Sequence, residues 1–537
     1  MSRTVRLCLG GLLVAMTMIP LVGQPRPSMS ASAQGSPPPA PFSGDATTRA
    51  AASISPTPGT NRERANGIVV GHSYKNDVSR PLRDIKPVHL AVAGPPTAPN
   101  NPGIPVTGHK DQPDPVIQRS FGAGAAAMPT PLAGWAGISS QGAGGDCNCA
   151  PPDTNGDVGP NNYIQIVNTA FQIWSKAGVS LYGPANINTV WTGFGGACEL
   201  RNDGDPVVLY DPLANRWLLS QFTSSAPYDE CIAISQTADP TGAWYRYAFA
   251  LSPTTLVDYP HLGVWPDGYY MSANLFANAA TYVGPAPYVF DRAQMLVGQP
   301  ASVQMFPALG SAANPMLPSD LDGALPPPPG APNYFLGFGD TLTVYKLHVD
   351  WNTPANSTFT PTSSVPVAGF TQLCPTIRDC LAQPGTTQRL DGLGDRLMAR
   401  LAYRNFGDHE ALVANHTVDV GGGQAGVRWY EIRDPGGSPT IYQQGSYAPN
   451  GDNRWMGSAA MDHNGDLAVG YSVSSASTFP SIRYAGRLAS DPLGSLPQGE
   501  ATLFAGSGVQ SGVNRWGSAH FSSWQSPRVR GSHPTDG

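Results

Sequence analysis

From about residue 146 onward the chain is written in short runs of alternating apolar and polar residues, cut by Gly, Pro, Asn and Asp. "NNYIQIVNTAFQIWSKAG" reads as two strands, and "GDPVVLYDPLANRWLLSQF" as two more around Asn215. "CIAISQTADPTGAWYRYAF" adds another pair, and "GVWPDGYYMSANLF" carries an Asp-Gly turn between apolar runs, the signature of a hairpin. "PNYFLGFGDTLTVYKLHVDW" follows the same rule, as does "DRLMARLAYRNFGDHEALVANHTVD" with "AGVRWYEIRD", and "RWMGSAAMDHNGDLAVGYSVSS" with "SIRYAGRL". No long stretch carries the three-to-four spacing of an amphipathic helix. Units of about 40 to 60 residues, each with four short strands, have the period of a propeller blade. Unit starts near residues 153, 205, 258, 320, 395 and 453 predict an all-β propeller of six blades, with five or seven as alternatives.

Each unit opens on an acid or an amide: Asp153, Asp205, Asp258, Asp320, Asp395 and Asn453. The first strand of a blade lines the central channel, so these side chains are expected to form a ring around one mouth. Turn chemistry explains each residue singly, since Asp and Asn favour strand starts, but not their recurrence.

The tripeptide "NRW" that begins the last unit returns, in "NRWG", at Asn514–Gly517. The first unit shows only two clear strands, over 162–177, so a second half is expected from the C-terminal end of the chain. The text after Gly517, "SAHFSSWQSPRVRGSHPTDG", has no alternation. The expectation is an incomplete closing blade and an irregular tail over 518–537.

Composition adds the setting. Gly numbers 61 and Pro 55 in 537 residues, and only 13% are charged, which is turn-rich and helix-poor. A net charge of −6 without a basic block excludes the footprint of a nucleic-acid binder. Arg3 and Arg6, the apolar "LCLGGLLVAMTMIPLVG" and the small-residue "SASAQG" read as a secretory signal over 1–33, with an uncleaved membrane anchor as the rival. No later segment has the 18 unbroken apolar residues of a membrane span, so none is expected after signal cleavage. Residues 34–145 are rich in Pro, Ala, Gly and Ser and are expected to form an extended or disordered leader, with one isolated strand pair in "NGIVVGHSYKNDV". The folded domain is expected over 146–517, in a protein that is secreted or held at the cell surface.

Six cysteines follow the leader's apolar start: Cys147, Cys149, Cys198, Cys231, Cys374 and Cys380. An even number in an exported chain predicts disulfides. Cys374 and Cys380 are expected to staple one loop. Cys147 and Cys149 are disfavoured as mutual partners, which leaves Cys198 and Cys231 for them, although six cysteines allow 15 pairings. A zinc site is the rival, with poor ligand spacing.

"DGDPVVLYDPLANRWLLSQF", "CIAISQTADPTGAWYRYAF", "GVWPDGYYMSANLF" and the two stretches around Arg400 and Trp455 resemble blades of a widespread group of secreted bacterial proteins, over roughly residues 146–517. In that group the last "RWG" continues into further strands, and this chain departs from it there. More distantly, "IAISQTADPTGAWYRY" is similar to a blade turn of arabinanase and xylosidase-type glycosidases, and to the Asp-box turn of sialidases without its spacing. Such turns are scaffold features. The resemblance implies blade geometry, not catalysis.

Inverting glycosidases use two carboxyl groups, one acid and one base, across the sugar. Asp205 and Asp258 in the ring, with Glu410 nearby, are the candidates for such a role. "DTNGD" (Asp153, Asn155, Asp157) and "DHNGD" (Asp462, Asn464, Asp466) place oxygen ligands at alternate positions, as calcium sites do. Val158 and Leu467 stand where the calcium loop needs glycine, so a turn is the competing reading of each. His409 and His416 are seven apart, not four, and His416 is expected to be structural. "GGGQAG" from Gly421 is expected to be a blade turn, and no G-x-S-x-G supports a serine hydrolase. Trp191, Trp265, Trp429, Trp455 and Trp516 suit either sugar binding or packing between blades, packing being the commoner role. Two functions follow: a binding or surface scaffold for an extracellular glycan or protein, or a glycan-active hydrolase with its acids at the channel mouth. Whether the chain is an enzyme stays open, and a defective copy without a role is a third reading.

Overall fold

Six antiparallel meanders of four strands each follow one another along the chain. The computed structural model describes residues 63–89, 113–121, 128–129, 131, 133–139, 147, 149 and 151–516. The first blade comprises Asn155–Val158, Asn162–Val167, Ala170–Ser175 and Ser180–Asn186. The second comprises Val207–Asp211, Arg216–Phe222, Tyr228–Ser235 and Trp244–Ser252. The third runs through Thr255–Val264, Tyr269–Ala277, Thr281–Phe290 and Ser302–Met305. Met316–Asp322, Asn333–Gly337, Thr341–His348 and Thr358–Pro366 make the fourth. Leu397–Asn405, Glu410–Asp419, Ala425–Arg433 and Thr440–Tyr447 make the fifth. Asn453–Met461, Leu467–Ser474, Ser481–Arg487 and Glu500–Phe504 make the sixth.

The first strand of each meander packs on the first strand of the next, in chain order, which is the arrangement of a propeller. Four meanders stand in sheets of their own. The fourth and fifth are fused, because Ser319–Asp322 pairs in parallel with Leu401–Arg404. The only α-helices among the described residues are single turns, Ala197–Leu200 and Arg292–Met295.

The blade starts agree with the sequence reading to within a few residues, except in the fourth blade. Closure differs. The first blade is complete from local sequence. Its fourth strand was hidden by Gly183 and Pro184, which break the alternation. The sixth blade is also complete, ending in Glu500–Phe504, so the expected incomplete blade is corrected. Asn514–Trp516 begins no strand, and the expected tail over 518–537 lies outside the described residues.

The leader is the larger correction. Ile68–His72 pairs with Ser302–Met305 on the outer edge of the third blade, and Lys75–Val78 with Tyr245–Ala248 on that of the second. Ile117 and Gln118 pair in parallel with Ser446 and Tyr447 of the fifth. An outer strand presents unpaired backbone groups, and here the protein covers them with its own chain. Leu82 and Ile85 are buried in the core beside the first blade. Charge-assisted clasps hold these segments. Asp77 takes Arg246 bidentately at 2.8 and 2.7 Å, Asp229 accepts from the Tyr74 hydroxyl at 2.6 Å, and Asp114 takes the fully buried Arg428 at 2.7 Å. The signal segment and its cleavage point lie outside the described residues.

Apolar faces of neighbouring blades make the core. Trp191, Trp265, Trp429 and Trp455 are fully buried in it, so packing is their role, while Trp516 is partly buried against the cluster around Trp455. Cys374–Cys380 is bridged as expected. The other two pairings are corrected: Cys147 bridges Cys149, and Cys198 bridges Cys231. The short helix Ala197–Leu200 sets Cys198 against the third strand of the second blade, with Cα atoms 5.7 Å apart, inside disulfide range. No helix among the described residues is long and apolar enough to cross a membrane.

Candidate functional site

An inner strand has one edge without a strand partner, so its N–H groups face the channel and need acceptors. Side chains of the adjoining blades supply them. Asn155 and Asp157 of the first blade accept from Val208 and Tyr210 N–H of the second, at 2.8 and 2.7 Å. Asp205 accepts from Tyr259 N–H at 3.1 Å, Asp320 from Val264 N–H at 2.9 Å, and Asn453 from Ala425 N–H at 3.0 Å. Of the recurrent acids and amides, Asp205 and Asp320 thus staple one inner strand to the neighbouring blade, and Asn453 reaches the third strand of the fifth blade. Asn155 and Asp157 lie on an extended strand with their oxygens so engaged, not in a loop wrapped around one point. Among the described residues no group of three or more His, Cys, Asp or Glu is placed to hold a metal ion.

These residues fall at two depths. The middle level holds Asp157, Asp320 and Asp322 around Arg400, which hydrogen-bonds to both Asp320 and Asp322. Burial pushes Asp320 up to about 7, against the pull of Arg400. Inner strands of neighbouring blades touch at this level. A Cβ on Gly263 would overlap the Ser319 carbonyl, and the parallel pairing of the fourth and fifth blades joins two inner strands directly. Asp320 therefore does not stand at the mouth. Its strand begins upstream at Met316, which puts the acid at its fifth position.

The mouth gathers Asp153, Asp205 and Asp258 from the first three blades. Asn168 ties two of them, its amide donating to Asp153 and its carbonyl accepting from Asp205 N–H at 2.7 Å. The Asp153 and Asp205 side chains are themselves hydrogen-bonded. Asp153, Asp205 and Tyr259 all take left-handed backbone, with φ of 39°, 40° and 56°, a costly conformation for side-chain-bearing residues that clusters at functional sites. Burial, then the negative charges of Asp258 and Asp153, hold Asp205 well above the usual carboxylate range. Asp258 is raised to about 6 by burial and Asp153, with Arg396 and Arg515 opposing. Burial and the crowded negative charges thus favour the neutral form of Asp205.

The fifth blade contributes the opposite charge. Asp395 and Arg396 form a bidentate pair, both bonds 2.8 Å, and Arg396 lies 5.0 Å from the centroid of Tyr259. Burial disfavours the Asp395 anion, but Arg396 overrides it and holds the group at about 2. Asp391 meets Arg378 at 3.0 Å and Arg515 at 4.0 Å. Asp205 and Asp258 are half-buried, whereas Asp153 and Asp395 are buried.

Of the predicted ring, the structure brings together Asp153, Asp205, Asp258 and Asp395. Asn453 stays between the fifth and sixth blades, bonded to Ala425 and Ser474. Glu410 is separated from the ring. It opens the second strand of the fifth blade, beyond the far end of Leu397–Asn405, a strand of nine residues and so roughly 25–30 Å long. There it accepts from the Tyr403 hydroxyl at 2.5 Å. It cannot share a substrate with Asp205. Asp462 accepts from Asn464 and Asp466 N–H, as a turn does, and Gly421–Gly423 also form a turn. His416 is buried against the Tyr430 hydroxyl at 2.8 Å and stays neutral, as expected for a structural histidine. Sequence reasoning missed Arg378, Arg396, Arg515 and Tyr259. Arg396 follows a ring acid directly and carried the one readable signal.

A groove of about 500 Å³ opens elsewhere, where Gln118 of the leader meets Gln443 and Gly494. Its amides are engaged: Gln118 with Leu496, and Gln443 with Glu431 and Gly494.

No protein-family model matches the chain, and no curated protein is similar to it in sequence. Among solved structures, a GH43 endo-arabinanase from Bacillus licheniformis is 12% identical, over 52% of this chain and 92% of that one, with a TM-score of 0.25. A GH43 β-1,3-galactosidase is 11% identical over 62% and 73%, with a TM-score of 0.27. A Trypanosoma rangeli sialidase mutant displaying trans-sialidase activity is 10% identical over 53% and 54%, with a TM-score of 0.21. Likenesses this slight carry no argument about the site.

Proposed function

We propose that this chain is an exported propeller that binds a glycan at the mouth ringed by Asp153, Asp205, Asp258 and the Asp395–Arg396 pair. One observation carries the reading: three carboxyls from three blades, Asp153, Asp205 and Asp258, gather beside the Asp395–Arg396 pair at a half-open mouth. Burial and acidic neighbours favour the neutral, donating form of Asp205, a carboxylate accepts, and arginine donates. That mixture suits hydroxyl groups, which both give and take. Three disulfides support export from the cytoplasm.

Hydrolysis is the second reading, and the same crowding favours it, because a carboxyl held toward its neutral form beside a carboxylate is the acid–base pair of glycoside cleavage. Calorimetry against soluble arabinan, galactan and xylan, with reducing ends assayed in parallel, tests both. Binding to one of them, weakened at least about tenfold in the D205N/D258N double variant and without new reducing ends, is the expected result. Reducing ends that vanish in that variant would replace binding by hydrolysis. Identical behaviour of wild type and variant toward every polysaccharide would remove the mouth from function.

A further inference from the structure

Apolar packing between the blades is uneven. Buried clusters fill the seams between the first and second blades, the second and third, and the fifth and sixth, and one cluster runs through the third, fourth and fifth. Among the described residues no such cluster spans the sixth blade and the first. Strand exchange does not sew this seam either, because the four strands of each of these blades come from one stretch of chain. The ring therefore closes without the apolar burial that holds its other seams.

The leader crosses this seam. Gln118, on the rim of the fifth blade, exchanges hydrogen bonds with the Leu496 backbone of the sixth, at 3.3 and 2.8 Å. Further on, Met128 lies against Gly486, where a Cβ would come within 3.1 Å of its thioether, and the Tyr484 hydroxyl donates to the Pro129 carbonyl. Tyr484 and Gly486 flank Ala485, which packs with the fifth blade, so their own face is turned away from it. The leader then meets the first blade. Trp135 stands edge-on to Tyr163, ring centroids 6.2 Å apart, and covers Gly178, where a Cβ would lie 2.8 Å from the indole. Ile138 N–H donates to the Gln165 side chain at 2.8 Å, and its own side chain packs on Val167 and Ala170. Tyr163 and Gln165 alternate with Ile164 and Ile166, which pack with the second blade, so this face too is turned away from its packed neighbour.

We infer that the leader straps the ring shut, residues 128–129 holding the sixth blade and residues 135–138 the first. Both ends grip the two faces that no neighbouring blade packs with an apolar cluster. The strap is a link in series. Pro129 and Trp135 are six residues apart, a reach of roughly 20 Å at most, so letting go of either end releases the tie. Asp153 and Asn168 belong to the first blade, so the strap also steadies one side of the mouth, but it stands whether or not a glycan binds there.

Hydrogen–deuterium exchange on the full chain tests this, with W135A, Y484F and the double variant. Trp135 is exposed and Tyr484→Phe removes only a hydroxyl, so each variant keeps the blade cores. In either single variant, exchange should rise by about fivefold or more, the worth of one hydrogen bond, in both Asn162–Val167 and Leu467–Ser474. Thr255–Val264 of the third blade should keep its wild-type rate. The double variant should add little to either single one, since a tie in series is lost once. Y484F is the sharper arm, because it must loosen the first blade, on the far side of the seam. Faster exchange confined to the blade that loses its contact, an equal rise in the third blade, or no change in either single variant would overturn the inference.

Discussion

The mouth and the middle of the channel are built from the same parts and behave differently. Both collect aspartates from several blades around arginine. At mid-depth Asp157 caps Tyr210, Asp320 caps Val264, and Arg400 bridges Asp320 and Asp322 in a space closed by paired strands. At the mouth Asp153, Asp205 and Asp258 crowd one another, and the nearest guanidinium is already committed to Asp395. The middle is therefore a keystone, and the mouth keeps polar capacity for something else. Depth along the inner strand, not residue type, separates the closed level from the half-open one.

The largest test falls on the middle. R400A leaves Asp320 and Asp322 buried without their cation, and breaking such a buried pair costs about 3–5 kcal/mol, read as a fall in melting temperature. A loss below about 1 kcal/mol would erase the contrast. Next comes D395N, which strands Arg396. Asp395 has a lowered pKa, so its stabilisation is present above the unfolded carboxylate value and is lost as pH falls toward about 2. At pH 7 we expect a cost of about 2 kcal/mol, vanishing near pH 2, in pH-dependent denaturant unfolding.

D258N should act with the opposite sign. Its folded pKa is raised, so wild type loses stability as pH climbs from about 4 to about 6. The variant should lack that slope and gain up to about 2 kcal/mol relative to wild type above pH 6. Equal slopes would mean that burial and Asp153 do not raise Asp258. The smallest effect belongs to E410Q. It should leave polysaccharide binding unchanged and alter stability by about 1 kcal/mol or less, through the Tyr403 hydrogen bond. Lost binding would bring Glu410 back into the site.

Much of this fold is legible from short apolar or alternating runs cut by turn residues, because strands stacked between blades are buried on one or both faces. The blades around Trp217, Tyr270 and Tyr430 could be placed without coordinates for that reason. The mouth acids were legible through recurrence at blade starts. Asp320 was misplaced because no acid marks its strand's true beginning, and Glu410 because proximity in sequence hid the length of a strand. The arginines carry no period, and their role depends on which carboxylate they meet across the channel. The leader's strands were hidden by Pro and Gly around them and by partners far along the chain.

Those leader strands also dictate an order of events. Lys75–Val78 must wait for residues near 245 and Ile68–His72 for residues near 303, while Ile117 and Gln118 must wait until residues near 446 have been made. The segments made first must wait for partners made much later, so each rim stays bare until its own blade has been synthesised. Contacts this distant in sequence slow folding. A chain that crosses a membrane before it folds meets no penalty from the delay, whereas one folding in a crowded cytoplasm would carry open sheet edges throughout.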